Sequence, residues 1–373
     1  MLQRYSPPKS AEPIRVAVIG TGFGEAVHLP ALRQVPDFSV AAVCSRRADH
    51  AHAAAQLYGA SLSTTDYRDL VDRSDIDAFI VATPPHLHHG MTMTILGAGK
   101  HVIVEKPMAR TVAEARDMVR MAERAGVAAM VNHEFRFLPA RSYARELIEG
   151  GYIGEPYSAS MSFYRSSLND PRGVPFTWLM EEDKAGGMLG AIGSHHIDSL
   201  RWWMGDIRSA SGALSTMVRK RKAGDSQQML NVSADDNFAV VLQFTNGAIG
   251  SIHYSATATH DPPDHIVISG SDGTLVLTAD GRLQGGRKGE LVADLLIPEH
   301  YIRGAAYGAH PLIHPTVYLL RQWAAAIRTG SAQSPSFEDG FRVQEAIDAI
   351  GRSVQTGRSV ELQRSQRAKH ATT

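Results

Sequence analysis

The sequence predicts an α/β protein of two domains: a doubly wound parallel sheet, then an α+β domain on an open, mostly antiparallel sheet. The length of 373 residues fits two domains of roughly 150 residues or more. Continuous apolar runs alternate with helical patterns up to about residue 134, as in a sheet covered on both faces. Beyond it, alternating apolar and polar residues flank turn sequences. We therefore place the domains at 14–134 and 135–362, with flexible termini at 1–13 and 363–373.

The first domain contains five short apolar runs that predict strands. They are Val16–Ile19, Val40–Cys44, Ala78–Ala82, His101–Val104 and Ala128–Val131. Helical patterns occupy Ala51–Leu57 and Val112–Ala125. Thr111 and Glu114 form a capping box, which sets the start of the second of these helices. Strands and helices that alternate in this way predict a parallel sheet.

The second domain begins with two helical patterns, Pro139–Ile148 and Met188–Trp203. Two hairpins are predicted around the turn sequences Asn246-Gly247 and Ser271-Asp272-Gly273. The predicted hairpin strands are Phe238–Phe244, Ile249–Ser255, Ile266–Ser269 and Thr274–Leu277, and the predicted closing helices are Val317–Arg328 and Phe341–Arg352. Antiparallel strands with a few helices indicate an α+β domain.

The charges balance, with 38 Lys and Arg against 38 Asp and Glu and a formal net charge of zero. Such a chain has no general attraction to nucleic acid or to an anionic membrane, so we expect neither partner. We interpret the basic run Arg219–Lys222 as a solvated loop. The single cysteine, Cys44, excludes an intrachain disulfide and suits a reducing compartment. Together with an N-terminal segment that lacks the apolar core of a secretory signal, it favours the cytoplasm.

A glycine-rich run, Gly20-Thr21-Gly22-Phe23-Gly24-Glu25, directly follows the first predicted strand and precedes a helical pattern. Gly20 would permit a tight turn, and Gly22 would let a pyrophosphate approach the backbone N–H groups of the helix N-terminus. Gly24 stands one position earlier than the third glycine of the G-x-G-x-x-G fingerprint. The placement predicts a dinucleotide site at Gly20, Gly22, Phe23 and Gly24, with a turn that holds no ligand as the alternative.

The end of the second predicted strand bears on the choice of nucleotide. A site for NAD usually offers an acidic side chain to the ribose about 20 residues after the glycines. This chain has Cys44-Ser45-Arg46-Arg47 there, without a carboxylate. The Ser45 hydroxyl and the Arg46 guanidinium could hold a 2′-phosphate, so we favour NADP over NAD. Alternatively, the two arginines belong to a surface loop and NAD binds without a carboxylate.

Three further segments carry a family resemblance. They are Ala82-Thr83-Pro84-Pro85-His86-Leu87-His88, Ala98-Gly99-Lys100-His101-Val102-Ile103-Val104-Glu105-Lys106-Pro107 and Gly186-Gly187-Met188-Leu189-Gly190-Ala191-Ile192-Gly193-Ser194-His195-His196-Ile197-Asp198. In this order, after the glycine run, they resemble the Gfo/Idh/MocA family of nicotinamide-dependent sugar and polyol oxidoreductases. Segments 132–136 and 336–340 resemble later parts of the same family, so the resemblance covers nearly the whole chain.

The resemblance implies a Rossmann domain followed by an open antiparallel sheet, which commonly pairs with its mate in a homodimer or homotetramer. It also implies that Lys106 lies beside the nicotinamide ring and that the peptide before Pro107 can be cis. Lys106 independently closes a parallel strand at the carboxyl edge, where α/β sheets bind ligands. The resemblance places four further residues along the cofactor: Thr83, Pro84, His88 and Glu105.

Hydride transfer from a carbinol carbon requires that the hydroxyl proton leave as well. His195 suits the base, and Lys106 suits the cation that stabilises the developing alkoxide. In the reverse direction the pair would protonate a carbonyl oxygen. The family pattern has an Asp four residues before the His, where this chain has Ala191. Either Asp198 or another acid then assists, or Lys106 and His195 act as a pair.

Sugar hydroxyls require hydrogen bonds, and sugar faces pack on aromatic rings. The candidate substrate residues are therefore Tyr164, Arg165, Trp178, His196 and Asp198. His86, His88 and His89 are also close in sequence, but a metal site needs a further ligand and suitable geometry, and we expect none.

Three functions are compatible with the sequence. The first is an NADP- or NAD-dependent dehydrogenase or reductase of a sugar, cyclitol or related compound. The second is an enzyme that retains NAD and oxidises a sugar hydroxyl transiently, so that a glycoside is cleaved or a group is eliminated. The third is a regulatory protein that senses a dinucleotide or a sugar, which the Ala191 substitution would suit.

Overall fold

The computed structural model describes residues 12–304, 308–332 and 334–362. The predicted flexible termini therefore lie outside the described residues, apart from Glu12 and Pro13. The helices are α1 (Leu29–Leu32), α2 (Ala48–Tyr58), α3 (Arg68–Val71), α4 (His88–Gly97), α5 (Val112–Ala125), α6 (Pro139–Glu149), α7 (Ser194–Met204), α8 (Glu299–Ile302), α9 (Ile313–Thr329) and α10 (Phe337–Thr356).

The strands divide between two large sheets and one small hairpin. They are β1 (Ile14–Ile19), β2 (Phe38–Cys44), β3 (Leu62–Thr64), β4 (Ala78–Val81), β5 (His101–Val104), β6 (Ala129–Val131), β7 (Pro156–Tyr164), β8 (Ile207–Ser215), β9 (Lys220–Lys222), β10 (Met229–Asn231), β11 (Asn237–Phe244), β12 (Ile249–Ser255), β13 (His265–Gly270), β14 (Gly273–Thr278), β15 (Leu283–Arg287), β16 (Ala293–Leu295) and β17 (Val360–Glu361).

The chain forms two compact units, and neither is one continuous stretch. The first unit runs to Glu146 and takes in Asp183–Ala185 and Ile297–Gln344. The second comprises Leu147–Glu182, Gly186–Leu296 and the described residues 345–362. A single boundary at residue 134 is therefore too simple, because a later part of the chain returns to the first unit.

The first unit is built on a parallel sheet in the order β3-β2-β1-β4-β5-β6, which confirms the predicted doubly wound fold. All five predicted strands are present within two residues of their expected bounds. The strand that the sequence did not predict, β3, has three half-exposed or exposed residues and no apolar run. The capping box is also present, because the Thr111 hydroxyl accepts the N–H of Glu114 at 3.1 Å.

Helix α9 covers part of the first unit's core, although we predicted it in the second domain. Its Trp323 is fully buried and stacks on Phe38 with ring centroids 5.3 Å apart. The Trp323 indole N–H also donates to the carbonyl of Ala128 at 3.1 Å. Truncating a buried tryptophan typically costs about 3–5 kcal/mol of folding free energy. Residues far along the chain therefore complete the core of the parallel-sheet unit.

The second unit is built on a nine-stranded sheet in the order β16-β15-β14-β13-β7-β12-β11-β8-β17. Every neighbouring pair is antiparallel except β7 and β12, so the predicted mostly antiparallel sheet is confirmed. Both predicted hairpins are present, β11–β12 and β13–β14. The turn of the first contains Gly247 at φ +93°, a backbone conformation that favours glycine.

The basic run is not a solvated loop. Residues Lys220–Lys222 form β9, and Arg221 in its middle is only 1% exposed. Its guanidinium donates to the backbone carbonyls of Leu168 and Asp170. The alternation of a strand explains the difference, because it turns Arg221 inward while Lys220 stays exposed.

The described residues contain no helix that is long and apolar enough to cross a membrane. A cytoplasmic location stays a prediction.

Candidate active site

The glycine turn, residues Gly20–Gly24, lies between β1 and a π-helical turn at Gly24–His28 that continues into α1. Gly20 has φ +106°, and a Cβ there would lie 2.3 Å from the carbonyl oxygen of Ala82. A Cβ on Gly22 would meet no atom within 4 Å, so the space beside this exposed residue is open. Among the described residues, no side chain caps this helix start. The turn thus leaves room and backbone N–H groups for an anion.

The irregular spacing of the third glycine has a structural explanation. A Cβ on Gly24 would lie 3.0 Å from Cγ1 of Val18 and 3.5 Å from Cβ of Ala82. Gly24 therefore allows the helix to pack closely on the sheet, which is the task of the third glycine in the usual fingerprint. The wider π-helical turn follows at once.

At the end of β2, Ser45 and Arg46 differ in their surroundings. The Ser45 hydroxyl is hydrogen-bonded to the hydroxyl of Thr21 in the glycine turn at 2.8 Å. Arg46 is exposed and makes no ion pair with any described residue. Its neighbour Arg47 is paired with Asp49 at 2.8 Å. Only one of the two arginines is thus uncommitted beside the expected ribose position.

Thr83 and Pro84 are half-exposed after β4, whereas His88 is fully buried. The ring nitrogens of His88 lie 2.8 Å from the carbonyl oxygen of Thr83 and 3.0 Å from that of Pro107. Burial lowers the pKa of His88, although the two carbonyls and the charge of Glu105 oppose the shift. His88 therefore offers no exposed surface for the direct cofactor contact that we expected, and instead it joins the loops after β4 and β5.

Lys106 follows β5 at the same edge of the sheet as the glycine turn. It is half-buried, and the Lys106–Pro107 peptide is cis, as the resemblance implied. The preceding Glu105 is 6% exposed. Its Oε1 accepts hydrogen bonds from His28 Nε2 and Asn132 Nδ2, both at 2.7 Å, and its Oε2 accepts the N–H of Lys106 at 3.2 Å. The structure thus brings the predicted nucleotide residues of the first unit to one sheet edge.

His195 lies in the first turn of α7, directly after a π-helical turn at Leu189–Gly193. His195, His196 and Asp198 are each at most 2% exposed. Ala191 lies within the π-helical turn, so this helix start carries no carboxylate at the position where the family pattern has one.

An aspartate distant in sequence caps this helix start. Asp235 accepts the N–H of Leu189 through Oδ2 at 2.8 Å, and its backbone carbonyl accepts the N–H of Met188 at 3.0 Å. A Cβ on Gly187 would lie 2.1 Å from Asp235 Oδ1, so the cap requires glycine there. Burial raises the pKa of Asp235 to about 6, although these hydrogen bonds oppose the shift.

The predicted substrate residue Trp178 lies in a short 3₁₀ turn, Trp178–Met180, that packs on the approach to α7. Gly187 donates its N–H to the carbonyl of Leu179 at 2.8 Å. A Cβ on Gly186 would lie 2.6 Å or less from the carbonyl oxygens of Trp178 and Leu179. The turn and the start of the His195 helix therefore share one rigid support within the second unit.

Three other substrate candidates are not brought together. His196 stacks on Phe163 with centroids 4.0 Å apart, so one face of its ring is covered. Tyr164 follows Phe163 in β7, faces the opposite side of the sheet and lies beside His253, which corrects its grouping with His196. Arg165 is held by Asp264 in a two-fold contact of 2.6 and 2.7 Å.

Sequence reasoning missed His28, Asn132 and Asp235. Each acts through a partner between 27 and 77 residues away, and no local pattern signals such a pair. The described residues contain no cluster of His, Cys, Asp or Glu that could hold a metal ion, the neighbourhood of His86 and His89 included.

Two family models match most of the chain. Residues 14–133 match the oxidoreductase family with an NAD-binding Rossmann fold, and residues 142–276 match the GFO/IDH/MocA C-terminal domain. The chain belongs to the GFO/IDH/MocA oxidoreductase family. This membership confirms the resemblance carried by the glycine turn and the Glu-Lys-Pro segment, and with it the class of enzyme.

Several named relatives of this GFO/IDH/MocA protein are sugar dehydrogenases or reductases. The levoglucosan dehydrogenase of Pseudarthrobacter phenanthrenivorans is 29% identical over 377 residues, covering 90% of this chain and 95% of that protein. The 1,5-anhydro-D-fructose reductase of Ensifer adhaerens is 32% identical over 238 residues, covering 64% of this chain and 67% of that protein. A solved levoglucosan dehydrogenase in complex with NADH has a TM-score of 0.88 at 28% identity, covering 95% of this chain and 100% of that one.

Proposed function

We propose that this oxidoreductase transfers a hydride between a nicotinamide nucleotide and a hydroxyl or carbonyl carbon of a sugar, cyclitol or similar compound. The observation that carries the proposal is the sheet edge where the open turn beside Gly22 follows β1 and the half-buried Lys106 follows β5, with only β4 between these two strands. The open glycine turn fits a pyrophosphate. Similarity to levoglucosan dehydrogenase supports the sugar class.

In this proposal a bound nucleotide supplies the hydride acceptor or donor, and Lys106 and His195 handle the proton. During oxidation the substrate hydroxyl gives its proton to His195, and the Lys106 ammonium stabilises the developing alkoxide. His195 suits this step because an imidazole is the side chain that most often transfers a proton in enzymes, and α7 carries it in a buried position. Asp198, one turn further along α7, is proposed to contact a substrate hydroxyl.

The deciding experiment is a panel of polyols, anhydrosugars and ketosugars with each nucleotide, followed by absorbance at 340 nm. Lys106→Ala should lower kcat about 100-fold or more, since it removes a charge that acts in the transition state. A loss of only a few-fold would overturn the role of Lys106. No turnover by the wild-type protein on any compound would overturn the proposed function itself.

We further propose that NADP(H) binds more tightly than NAD(H), because the uncommitted Arg46 suits a 2′-phosphate. Arg46→Ala should weaken NADPH binding about tenfold or more and leave NADH within about twofold, as measured by fluorescence titration. Arg47→Ala is the matched control, since Arg47 is already paired with Asp49. Equal effects of Arg46→Ala on both nucleotides would contradict the preference.

Trp178 is proposed to pack on an apolar face of the substrate ring. Among the described residues its indole N–H has no hydrogen-bond acceptor and its ring stacks on no other ring, although it is half-buried. A sugar offers both an apolar face and a hydroxyl acceptor. Trp178→Ala should raise KM about tenfold, and Trp178→Phe should restore most of the loss. A KM equal to that of the wild-type protein in both variants would show that Trp178 does not contact the substrate.

The open face of the second unit's sheet is proposed to join copies of the chain in a homodimer or homotetramer. It carries small side chains such as Ser160, Ser251 and Ala239, and its larger residues Val241 and Ile249 are 44% and 50% exposed. A flat face of small residues suits packing against a second sheet. Light scattering of wild-type protein and of Val241→Arg would show a smaller assembly for the variant if this face is the interface.

A second candidate is an enzyme that retains NAD and oxidises its substrate transiently. Ala191 does not separate it from the dehydrogenase, because both reactions need an acceptor for the proton of the substrate hydroxyl. Nucleotide that stays bound through purification, with product formed but no net reduction of added NAD, would favour it over the dehydrogenase.

A further inference from the structure

The buried carboxylate of Glu105 is held from three directions. Its oxygens accept three hydrogen bonds. One comes from Nε2 of His28, at the end of the π-helical turn, at 2.7 Å, and one from Nδ2 of Asn132, directly after β6, also at 2.7 Å. The third comes from the backbone N–H of Lys106 at 3.2 Å. His28 and Asn132 are both 0% exposed. A carboxylate fixed by donors on separate elements cannot move without breaking one of these bonds.

The charges favour an ionised Glu105. Burial alone would raise its pKa, but the hydrogen bond and charge of His28, the charge of Lys106 and the hydrogen bond of Asn132 lower it overall. Removing a partner of a buried charge is strongly destabilising to the local arrangement, because the charge is left unpaired.

His28 also belongs to the nucleotide-binding part of the unit. It closes the π-helical turn that follows the glycine turn, and its ring packs edge-on against Phe23 with centroids 5.6 Å apart. Glu105 Oε1 is the one hydrogen-bond partner of the His28 ring among the described residues, since Nδ1 makes none. The ring therefore links the glycine turn to Glu105 and to no other polar group of that region.

We propose that His28 and Asn132 are positioning residues, which hold Glu105 and through it the peptide of Lys106, so that they control the hydride-transfer step rather than nucleotide affinity. The proposal rests on the role proposed above for Lys106. It deepens that role by assigning it a buried support that begins at the glycine turn.

Two substitutions at one position separate positioning from simple packing. His28→Leu removes the donor to Glu105, whereas the side-chain amide of His28→Gln can reach the same carboxylate oxygen. His28→Leu should lower kcat about 10- to 100-fold while the nucleotide Kd changes less than about threefold. His28→Gln should stay within about threefold of wild type. His52→Leu, an exposed histidine on α2, is the matched control and should change neither value.

A second measurement does not depend on turnover. The rate at which an amine-acetylating reagent modifies Lys106 in the full chain, followed by peptide mass spectrometry, should rise about threefold or more in His28→Leu and stay near wild type in His28→Gln. If His28→Leu does not fold, Glu105→Gln serves instead. Its amide cannot accept from all three donors, because one of its two polar atoms is itself a donor.

The outcomes are distinct. Wild-type kcat and labelling in His28→Leu would overturn the inference, and so would equal losses in His28→Leu and His28→Gln together with weaker nucleotide binding. If the wild-type protein transfers no hydride to any compound, the proposed function fails, while the labelling rates still decide whether His28 positions Lys106.

Discussion

Two helix starts in this protein look alike in sequence and differ in what occupies them. Each follows a glycine-rich run, and each begins with a π-helical turn, Gly24–His28 in the first unit and Leu189–Gly193 in the second. Among the described residues, no side chain caps the first start, and a Cβ on Gly22 would meet no atom within 4 Å. The second is filled by the chain itself, because Asp235 accepts the N–H of Leu189 at 2.8 Å.

The difference shows that glycines before a helix do not by themselves indicate a ligand. Helix N-termini attract an anion through their free N–H groups, and that anion can be a phosphate or a carboxylate of the protein. At the first start the glycines leave space for an external anion. At the second, Gly187 leaves space for Asp235.

The largest effect should come from filling the space at the second helix start. Gly187→Ala would place a Cβ 2.1 Å from Asp235 Oδ1 at a φ of +98°. We expect the free energy of unfolding to fall by about 2–4 kcal/mol, because strain and overcrowding act together. Nucleotide affinity should not change. Denaturant titration measures the first and fluorescence titration the second.

Gly205→Ala is the control for that experiment, since Gly205 has a φ of +101° but a Cβ there would meet no atom within 4 Å. The unfolding free energy that Gly205→Ala loses measures the cost of backbone strain without overcrowding. If Gly187→Ala weakened nucleotide binding more than it weakened the fold, the contrast between the two helix starts would be lost.

The opposite result is expected at the first helix start. Gly22→Ala should leave the free energy of unfolding within about 0.5 kcal/mol of wild type, because the new methyl group meets no protein atom. It should weaken nucleotide binding about 10- to 100-fold, because the methyl group occupies the space that a pyrophosphate needs. Unchanged binding would mean that the pyrophosphate does not lie against Gly22.

The smallest effect concerns pH. The pKa of Asp235 is raised by burial to about 6, above its ordinary value near 3.9. Between these two values the native protein holds a proton that the unfolded chain has released, so stability should fall as pH rises from about 4 to about 6. Asp235→Asn keeps an oxygen for the N–H of Leu189 but does not titrate. Between about pH 4 and pH 6 this variant should therefore lose about 1 kcal/mol less unfolding free energy than the wild-type protein.

Unfolding midpoints at pH 4.5 and pH 7 would measure the difference. Asp225→Asn, an exposed position in the same unit, should leave the pH dependence unchanged. The same slope in Asp235→Asn and wild type would show that Asp235 does not titrate in this range.

The elements that the sequence predicted are those whose signals are local. Apolar runs gave the strands beside the glycine turn, the capping box gave the start of α5, and Asn246-Gly247 gave a hairpin. The short strand β3 has no such run, and it forms because β2 offers it an edge to pair with.

The site was predictable only in part, for a related reason. Gly20, Gly22 and Lys106 could be placed because each follows a predicted strand. The partners His28 and Asp235 could not, since the contacts join residues 77 and 46 positions apart. Tyr164 was grouped with His196 by residue type alone, and strand β7 turns Tyr164 to the face opposite Phe163, on which His196 stacks.

The late position of α9 has a consequence for biosynthesis. About 180 residues separate β6 from the helix whose Trp323 covers Phe38. At the usual 5–20 residues per second, a ribosome needs about 10–40 s to make them. During that interval the part of the first unit's core that α9 covers, including Phe38, lacks this helix, so the nascent chain exposes apolar surface of the kind that chaperones bind.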